Sequence, residues 1–289
     1  ELALVRGCLG AIGIASGLGV SAAALTITAS YNDAQRSSML VMTDGAFSVS
    51  GFVMPFIALQ LLARNYAWSS LYWVLLGIVA LLIALAATAR FPATQRAARS
   101  ARAQRWPLNV WLLIVALFLY TLGQYTMTWW LPNHLVTTYN APEALAGEVS
   151  VRFWQGMFVA QLLVAWCVLQ AGTRNVLRAG AFTALLVMLP LVWVSDARWA
   201  AWLALAWGVA NLGLLKMMLS FATQQIPEAS PRLVSFVLLG ATCGTAVSPK
   251  VSSAWVAYGG TQAALWFAVA CYVAMSTLIL AAIRRRTAA

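Results

Sequence analysis

Residues 71–88 read LYWVLLGIVALLIALAAT, a run of eighteen residues without a charged side chain. An α-helix of about 20 apolar residues crosses the hydrocarbon core of a membrane. Eight further apolar runs of similar length cover residues 2–30, 39–62, 108–131, 150–170, 179–195, 201–221, 233–256 and 263–283. The sequence therefore predicts nine transmembrane segments.

The composition excludes a soluble globular protein. Hydrophobic residues make up 62% of the chain and charged residues 9%, whereas soluble domains carry about 25% charged residues. A segment that crosses lipid is an α-helix or part of a closed β-barrel, because lipid cannot hydrogen-bond free backbone groups. Barrel strands are about ten residues long and alternate apolar with polar side chains, which these runs do not. We therefore predict an all-α, polytopic membrane helical bundle.

The basic residues predict how the bundle is oriented. One set of alternate connections holds 12 of the 18 Lys and Arg residues, whereas the opposite set holds only Arg64 and Arg198. The twelve are Arg36, Arg90, Arg96, Arg99, Arg102, Arg105, Arg174, Arg178, Arg232, Arg284, Arg285 and Arg286. Cytoplasmic loops are enriched in Lys and Arg, so we expect that side and the C-terminus to be cytoplasmic. The net charge of +11 then reflects membrane topology, and we expect no nucleic-acid partner, which would require basic residues on one folded face.

The longest cytoplasmic connection, residues 90–107, separates three spans from six. We expect residues 1–89 to form part of an N-terminal half, residues 90–107 a basic linker, and residues 108–289 a C-terminal half of six helices. The chain opens on Glu1 at the edge of a span that starts, in this orientation, on the outer side. We therefore expect helices upstream of this span to be absent. Three spans, a long basic loop and six spans resemble the last nine helices in the twelve-helix plan of the major facilitator superfamily, and this resemblance implies that the spans present are the fourth to twelfth and that the first three are absent.

Motifs typical of enzymes are missing from the sequence. The single histidine, His134, falls in a predicted outer loop over 132–148, where we expect it to be solvated. There is no HExxH, CxxC or phosphate-binding glycine loop, and no pair of carboxylates is placed for acid–base catalysis. The sequence therefore predicts neither an enzyme nor a bound cofactor or metal.

Four ionisable side chains lie within spans, namely those of Asp44, Arg152, Lys216 and Lys250. Because a charge that faces lipid costs a few kcal/mol, we expect each to face a cavity or a partner. Asp44 either binds a proton and gates the protein, or pairs with hydroxyls or a loop arginine near the cytoplasmic surface. The basic side chains either line a cavity that favours anions or extend their charged ends to the membrane surface.

Uncharged features within the spans give further candidates. The side chains of Gln124 and Asn211 either bind a polar solute or hydrogen-bond neighbouring helices. Pro249 removes a backbone hydrogen bond and predicts a flexible point that a transporter can use for gating. GxxxG patterns at 13–17 and 240–244 predict close helix contacts.

Several stretches, in chain order, also carry a family resemblance. They are 38–48 (SMLVMTDGAFS), 51–55 (GFVMP), 122–124 (LGQ), 130–132 (WLP), 224–225 (QQ), 230–238 (SPRLVSFVL) and 260–265 (GTQAAL). These stretches resemble the fifth helix, the seventh helix, the turn between the tenth and eleventh helices, and the start of the twelfth helix of TsgA-like transporters. Those transporters are a branch of the major facilitator superfamily near the fucose permeases.

The resemblance implies a secondary carrier of the inner membrane with twelve helices that works by alternating access. Fucose permeases couple sugar uptake to protons through carboxylates in their first and fourth helices. Ala22 stands where the fourth helix of those permeases carries Glu, so Asp44 is the remaining intramembrane acid. Arg152 stands where relatives carry Asn, whereas Gln124 and Trp130 match the family and are expected to contact the solute.

We therefore expect a transporter of a small polar solute, sugar-like or a sugar acid, with membrane lipid as its surroundings and the proton as coupling ion. The chain is expected to be a monomer. The predicted solute contacts are Gln124, Trp130, Lys250, Asn211 and Arg152, and the predicted coupling or gating residues are Asp44 and Pro249. Two alternatives stay open, namely an exporter of hydrophobic compounds and a truncated membrane protein that does not transport.

Overall fold

The computed structural model describes residues 2–67, 69–89, 105–226 and 231–287; twenty side chains within these ranges, including that of Asp44, are outside the described part. The described ranges consist of helices and their connections, without a strand. The helices are α1 (Leu2–Ser30), α2 (Asp33–Ala63), α3 (Ser70–Thr88), α4 (Leu108–Tyr139), α5 (Glu143–Met188), a 3₁₀ turn (Leu189–Val192), α6 (Ala197–Ala210), α7 (Leu214–Thr223) and α8 (Pro231–Thr287). The prediction of an all-α membrane bundle is confirmed.

Two of these helices are too long to cross a membrane once. At about 1.5 Å per residue, the 46 residues of α5 and the 57 residues of α8 exceed the hydrocarbon thickness of about 30 Å. Each contains non-helical glycines, Gly172 in α5 and Gly259 and Gly260 in α8. Gly172 (φ 77°) and Gly260 (φ 73°) have the positive φ that glycine adopts readily.

The number of spans remains a prediction. Six helical segments of the described chain are long and apolar enough to cross a membrane. Both long helices break in the gaps between predicted spans, at Gly172 and at Gly259–Gly260. Most of the predicted linker, residues 90–104, lies outside the described residues.

The outer loop predicted over 132–148 is wrong for most of its length. Helix α4 continues past Pro132 to Tyr139, and α5 begins at Glu143. Asn140 adopts the left-handed conformation (φ 53°), and the backbone N–H of Ala141 donates to the carbonyl oxygen of Leu135 over 3.1 Å. This geometry terminates a helix, so the connection shrinks to residues 140–142.

Helices α4 to α8 enclose the aromatic core, whose largest buried side chains include Trp207, Tyr120, Tyr272, Phe153 and Phe221. By contrast, no described residue of α3 is buried. Of the two predicted GxxxG contacts, the one at 240–244 is confirmed, because Gly240 and Gly244 lie against the backbone of α4. Gly13 and Gly17 of α1 have no described neighbour within 4 Å of an added Cβ.

Candidate substrate site

Gln124 points into the bundle from the middle of α4. The exposed side chains of this helix, including Trp111, Val115 and Trp129, lie roughly opposite Gln124 at 100° per residue. Gln124 itself is 4% exposed. Among the described residues, its side-chain amide makes no hydrogen bond, whereas its backbone carbonyl oxygen accepts from the Thr128 hydroxyl over 2.8 Å. Gln124 therefore presents to the interior a hydrogen-bonding group that no described residue uses.

Trp130 lies further along α4, toward the predicted outer side. Its indole Nε1 is enclosed and has no hydrogen-bond partner in the described part of the chain. Six residues turn an α-helix by about 240°, so Trp130 and Gln124 leave α4 about 120° apart. The helix alone therefore does not bring these two predicted contacts onto one face.

His134 is buried, so the prediction of a solvated loop histidine is wrong. The side chain is 1% exposed. Its Nδ1 lies 2.7 Å from the Thr261 hydroxyl of α8 and 3.1 Å from the Thr138 hydroxyl of α4. The helical spacing of His134 from Trp130 is the sequence signal for this burial, and it is visible only if α4 is continued past Pro132.

Asn211 lies at the break between α6 and α7, and its side-chain amide is committed to the protein. Its Nδ2 donates to the carbonyl oxygen of Trp207 over 2.7 Å, and its Oδ1 accepts from the Tyr272 hydroxyl over 2.9 Å. Leu212 (φ 44°) and Gly213 (φ 60°) follow in the left-handed region and interrupt the helix. Asn211 thus connects the break between α6 and α7 to α8 through its hydrogen bond with Tyr272.

Arg152 stacks on α6 rather than facing α4. Its guanidinium carbon lies 4.9 Å from the ring centroid of Trp202, and its Nη1 is 3.5 Å from Gln155 Oε1. Two residues earlier, the Ser150 hydroxyl donates to the Thr128 carbonyl oxygen of α4 over 3.3 Å. Two residues turn a helix by about 200°, so Arg152 leaves α5 on the side away from α4.

Lys250 is likewise two residues from a side chain that contacts α4, so it leaves its own helix on the side away from α4. The Ser248 hydroxyl lies 3.3 Å from that of Thr126 on α4, whereas Lys250, two residues on, is exposed. Pro249 lies within α8, but the helix is interrupted at Gly259 and Gly260 and not at Pro249. The structure therefore does not bring Arg152 or Lys250 to the face of α4 that carries Gln124.

Helix α2 packs along α5 next to Asp44. A Cβ added to Gly45 would lie 3.6 Å from Gln161 Oε1, and one added to Gly51 would lie 2.7 Å from Trp154 Cγ. The backbone of Asp44 is part of α2, while its side chain lies outside the described residues. Lys216 of α7 is 7% exposed, and α7 follows Gly213, which approaches Val41 of α2.

Comparisons with known proteins agree on one family. A sequence model of the Major Facilitator Superfamily matches residues 4–229. The chain is 31% identical to Protein TsgA of Salmonella arizonae, over 97% of this chain and 72% of that protein. It is 28% identical to a Protein TsgA homolog of Yersinia pestis (strain Pestoides F), over 93% of this chain and 69% of the homolog.

A solved structure shares the fold. The crystal structure of the Major Facilitator Superfamily transporter FucP in the outward conformation superposes with a TM-score of 0.69. The match covers 91% of this chain and 72% of FucP at 16% sequence identity. At this identity the likeness concerns the fold, and it agrees with the all-helical architecture described above.

Proposed function

This chain belongs to the Major Facilitator Superfamily as a TsgA-like membrane transporter, and we propose that it carries a small polar solute, a sugar or a sugar acid. The family is one of transporters, not enzymes. On this proposal, residues 1–89 and 108–289 belong to two halves that rock against each other, with the solute bound between them. The carrier is a monomer in the bacterial inner membrane, with its C-terminus in the cytoplasm.

The observation that carries the proposed solute class is the free side-chain amide of Gln124. The residue is buried, but the polar atoms of its side-chain amide are not fully enclosed and make no hydrogen bond with a described residue, so a solute can reach the amide and complete its hydrogen bonds. An amide offers both a donor and an acceptor without a charge, which suits the hydroxyl groups of a sugar. Trp130, with its unpartnered indole N–H, is the second contact that we propose.

We assign a supporting role to the other three candidates for solute contact. Arg152 is engaged by Trp202, and both polar atoms of the Asn211 side chain have protein partners. Lys250 is exposed on the side of α8 away from α4. Asp44, on helix α2, which packs against α5 of the other half, is the coupling or gating group in this proposal, with the proton as coupling ion and Pro249 as a flexible point.

The proposal is tested first by solute binding to the purified protein in detergent. Thermal unfolding is measured with L-fucose, D-galactose, D-glucose, D-gluconate and D-glucuronate, and any stabilising solute is then followed into proteoliposomes. We expect at least one solute to raise the unfolding temperature, because a ligand that binds only the folded state stabilises it. If none of the five does so, the proposed solute class is wrong.

A variant pair tests the role of Gln124. Gln124→Leu should weaken binding of the stabilising solute by about tenfold or more, the equivalent of one hydrogen bond. Gln170→Leu is the matched control, because Gln170 is an exposed glutamine of α5 and its loss should leave affinity unchanged. Equal affinity in the two variants would remove Gln124 from the site.

A further inference from the structure

Two enclosed nitrogen atoms lie one helical turn apart on α4. Trp130 Nε1 and His134 Nε2 are both buried, and neither has a hydrogen-bond partner in the described part of the chain. Residues four apart share one face of an α-helix. The outer part of α4 therefore carries a pair of unused hydrogen-bonding groups on a single face.

The ring of His134 is held from its other side. Thr261 of α8 and Thr138 of α4 both contact Nδ1, at 2.7 and 3.1 Å. Tyr139 adds an edge-to-face ring contact with centroids 5.4 Å apart. These contacts fix the imidazole through Nδ1 and leave Nε2 uncommitted, an arrangement that a purely structural histidine does not need.

His134 lies beyond the reach of a solute that is bound at Gln124. Ten residues of α-helix lie between Gln124 and His134, which at about 1.5 Å per residue is about 15 Å along the axis. A single monosaccharide does not span that distance. His134 therefore belongs to a second position further toward the predicted outer surface, and Trp130, six residues or about 9 Å along the axis from Gln124, lies between the two and can contact the solute at either.

Enclosure of both nitrogens fits a transport cycle. A carrier that works by alternating access opens its solute path to one side at a time, so groups along the path are covered in at least one state. Covering them without partners costs free energy, which is recovered when the path opens and an oxygen-rich solute reaches them.

We propose that Trp130 and His134 form an outer subsite that binds the hydroxyl or carboxylate oxygens of the solute before it reaches Gln124. The indole Nε1–H donates to a solute oxygen. His134 Nε2 donates a hydrogen bond to a solute hydroxyl or accepts one from it, depending on the tautomer, while Thr261 and Thr138 hold the ring in place. This subsite rests on the proposed function, because it presumes the same polar solute.

Two amide substitutions at His134 separate this role from a structural one. In His134→Asn the amide takes the place of Nδ1, so the contact with Thr261 can remain while the Nε2 position is empty. In His134→Gln the longer amide reaches the Nε2 position instead. Both variants are titrated with whichever of the five solutes tested above stabilises the wild-type protein. Their affinity for that solute is then measured from the rise in unfolding temperature.

We expect His134→Asn to unfold at the wild-type temperature and to bind the solute about tenfold more weakly, the loss of one hydrogen bond. His134→Gln should retain affinity within a few-fold. Asn133→Ala, which removes an exposed amide beside His134, should bind as the wild type does. Wild-type affinity in His134→Asn together with lost affinity in His134→Gln overturns the subsite, because Nδ1 would then be the atom that matters.

Trp130→Phe keeps the test decisive if His134→Asn does not fold. It deletes only the indole N–H and the fused ring, and it should also lower affinity about tenfold. Unchanged affinity in Trp130→Phe rejects the subsite. A wild-type protein that binds none of the five solutes rejects the proposed solute class itself, which distinguishes the two failures.

Discussion

Gly51 of α2 lies so close to Trp154 of α5 that a Cβ added to the glycine would come within 2.7 Å of the indole Cγ. This contact joins the two halves that we propose to move against each other. Phe47 adds an edge-to-face contact with the same indole, at a centroid distance of 5.4 Å. Helices α2 and α5 therefore pack closely at this point because Gly51 has no side chain.

Gly51→Ala should destabilise the protein, because Trp154 must shift to accept the methyl group. Overpacking of this kind costs about 1–3 kcal/mol, partly offset by the better helix propensity of alanine, about 1 kcal/mol. Thermal unfolding in detergent measures the net loss. Gly77→Ala is the control, since nothing lies within 4 Å of its added Cβ, and a stability as high in Gly51→Ala as in that control would contradict the contact.

Gly156→Ala should be more damaging than Gly51→Ala. The added Cβ would clash with the backbone carbonyl oxygen of Leu205, and one added to Gly208 would clash with that of Phe153. A helix backbone cannot move away as readily as the Trp154 side chain can. We therefore expect a loss of folding stability near the upper end of the overpacking range, about 3 kcal/mol. Gly147→Ala on the same helix has open space and should unfold close to the wild-type temperature.

The contact between Gly156 and Gly208 also shows where sequence reasoning stops. Run length alone located α3, which begins at Ser70 and ends at Thr88, one residue from the predicted 71–88. The glycine pair is not a motif within one helix, because its members lie on α5 and α6. Which glycines meet depends on how two helices cross, and the periodicity of each helix by itself does not contain that.

The same limit applies to the candidate site. Helical periodicity places Trp111, Val115 and Trp129 opposite Gln124, and the structure shows that these three are exposed and that Gln124 is buried. The stacking of Arg152 on Trp202 depends on the packing of α5 against α6. The prediction of a solvated His134 is wrong because it ends the helix at Pro132, although one proline removes only one backbone hydrogen bond.

The predicted orientation is tested with reporter fusions. A green fluorescent protein joined to the C-terminus should fluoresce, because we expect that end in the cytoplasm, and alkaline phosphatase at the same place should be inactive. Phosphatase joined after Ala141, in the connection between α4 and α5, should be active. Activity with the opposite pattern would reverse the topology inferred from the arginines.

Asp44→Asn tests proton coupling in the complete transport cycle. Asparagine has a similar shape but cannot bind or release a proton, so uptake into proteoliposomes should no longer rise when the outside is made acidic. Glu148→Gln neutralises an exposed carboxyl group of α5 and should leave that response intact. Coupling that survives in Asp44→Asn would reject Asp44 as the proton-coupling residue and leave its carboxylate a structural role.

Tyr272→Phe tests whether Asn211 supports the fold, as its hydrogen bonds indicate. The change leaves Asn211 Oδ1, which now accepts from Tyr272 over 2.9 Å, without its donor in a buried position, at a cost of about 1–3 kcal/mol. Asn211→Ala should cost a similar amount, and the double variant less than the sum, because both single changes break the same bond. Solute affinity should stay at the wild-type value in Tyr272→Phe. If Asn211→Ala alone weakened solute binding while Tyr272→Phe did not, the amide would belong to the solute site and the sequence-based assignment of Asn211 would stand.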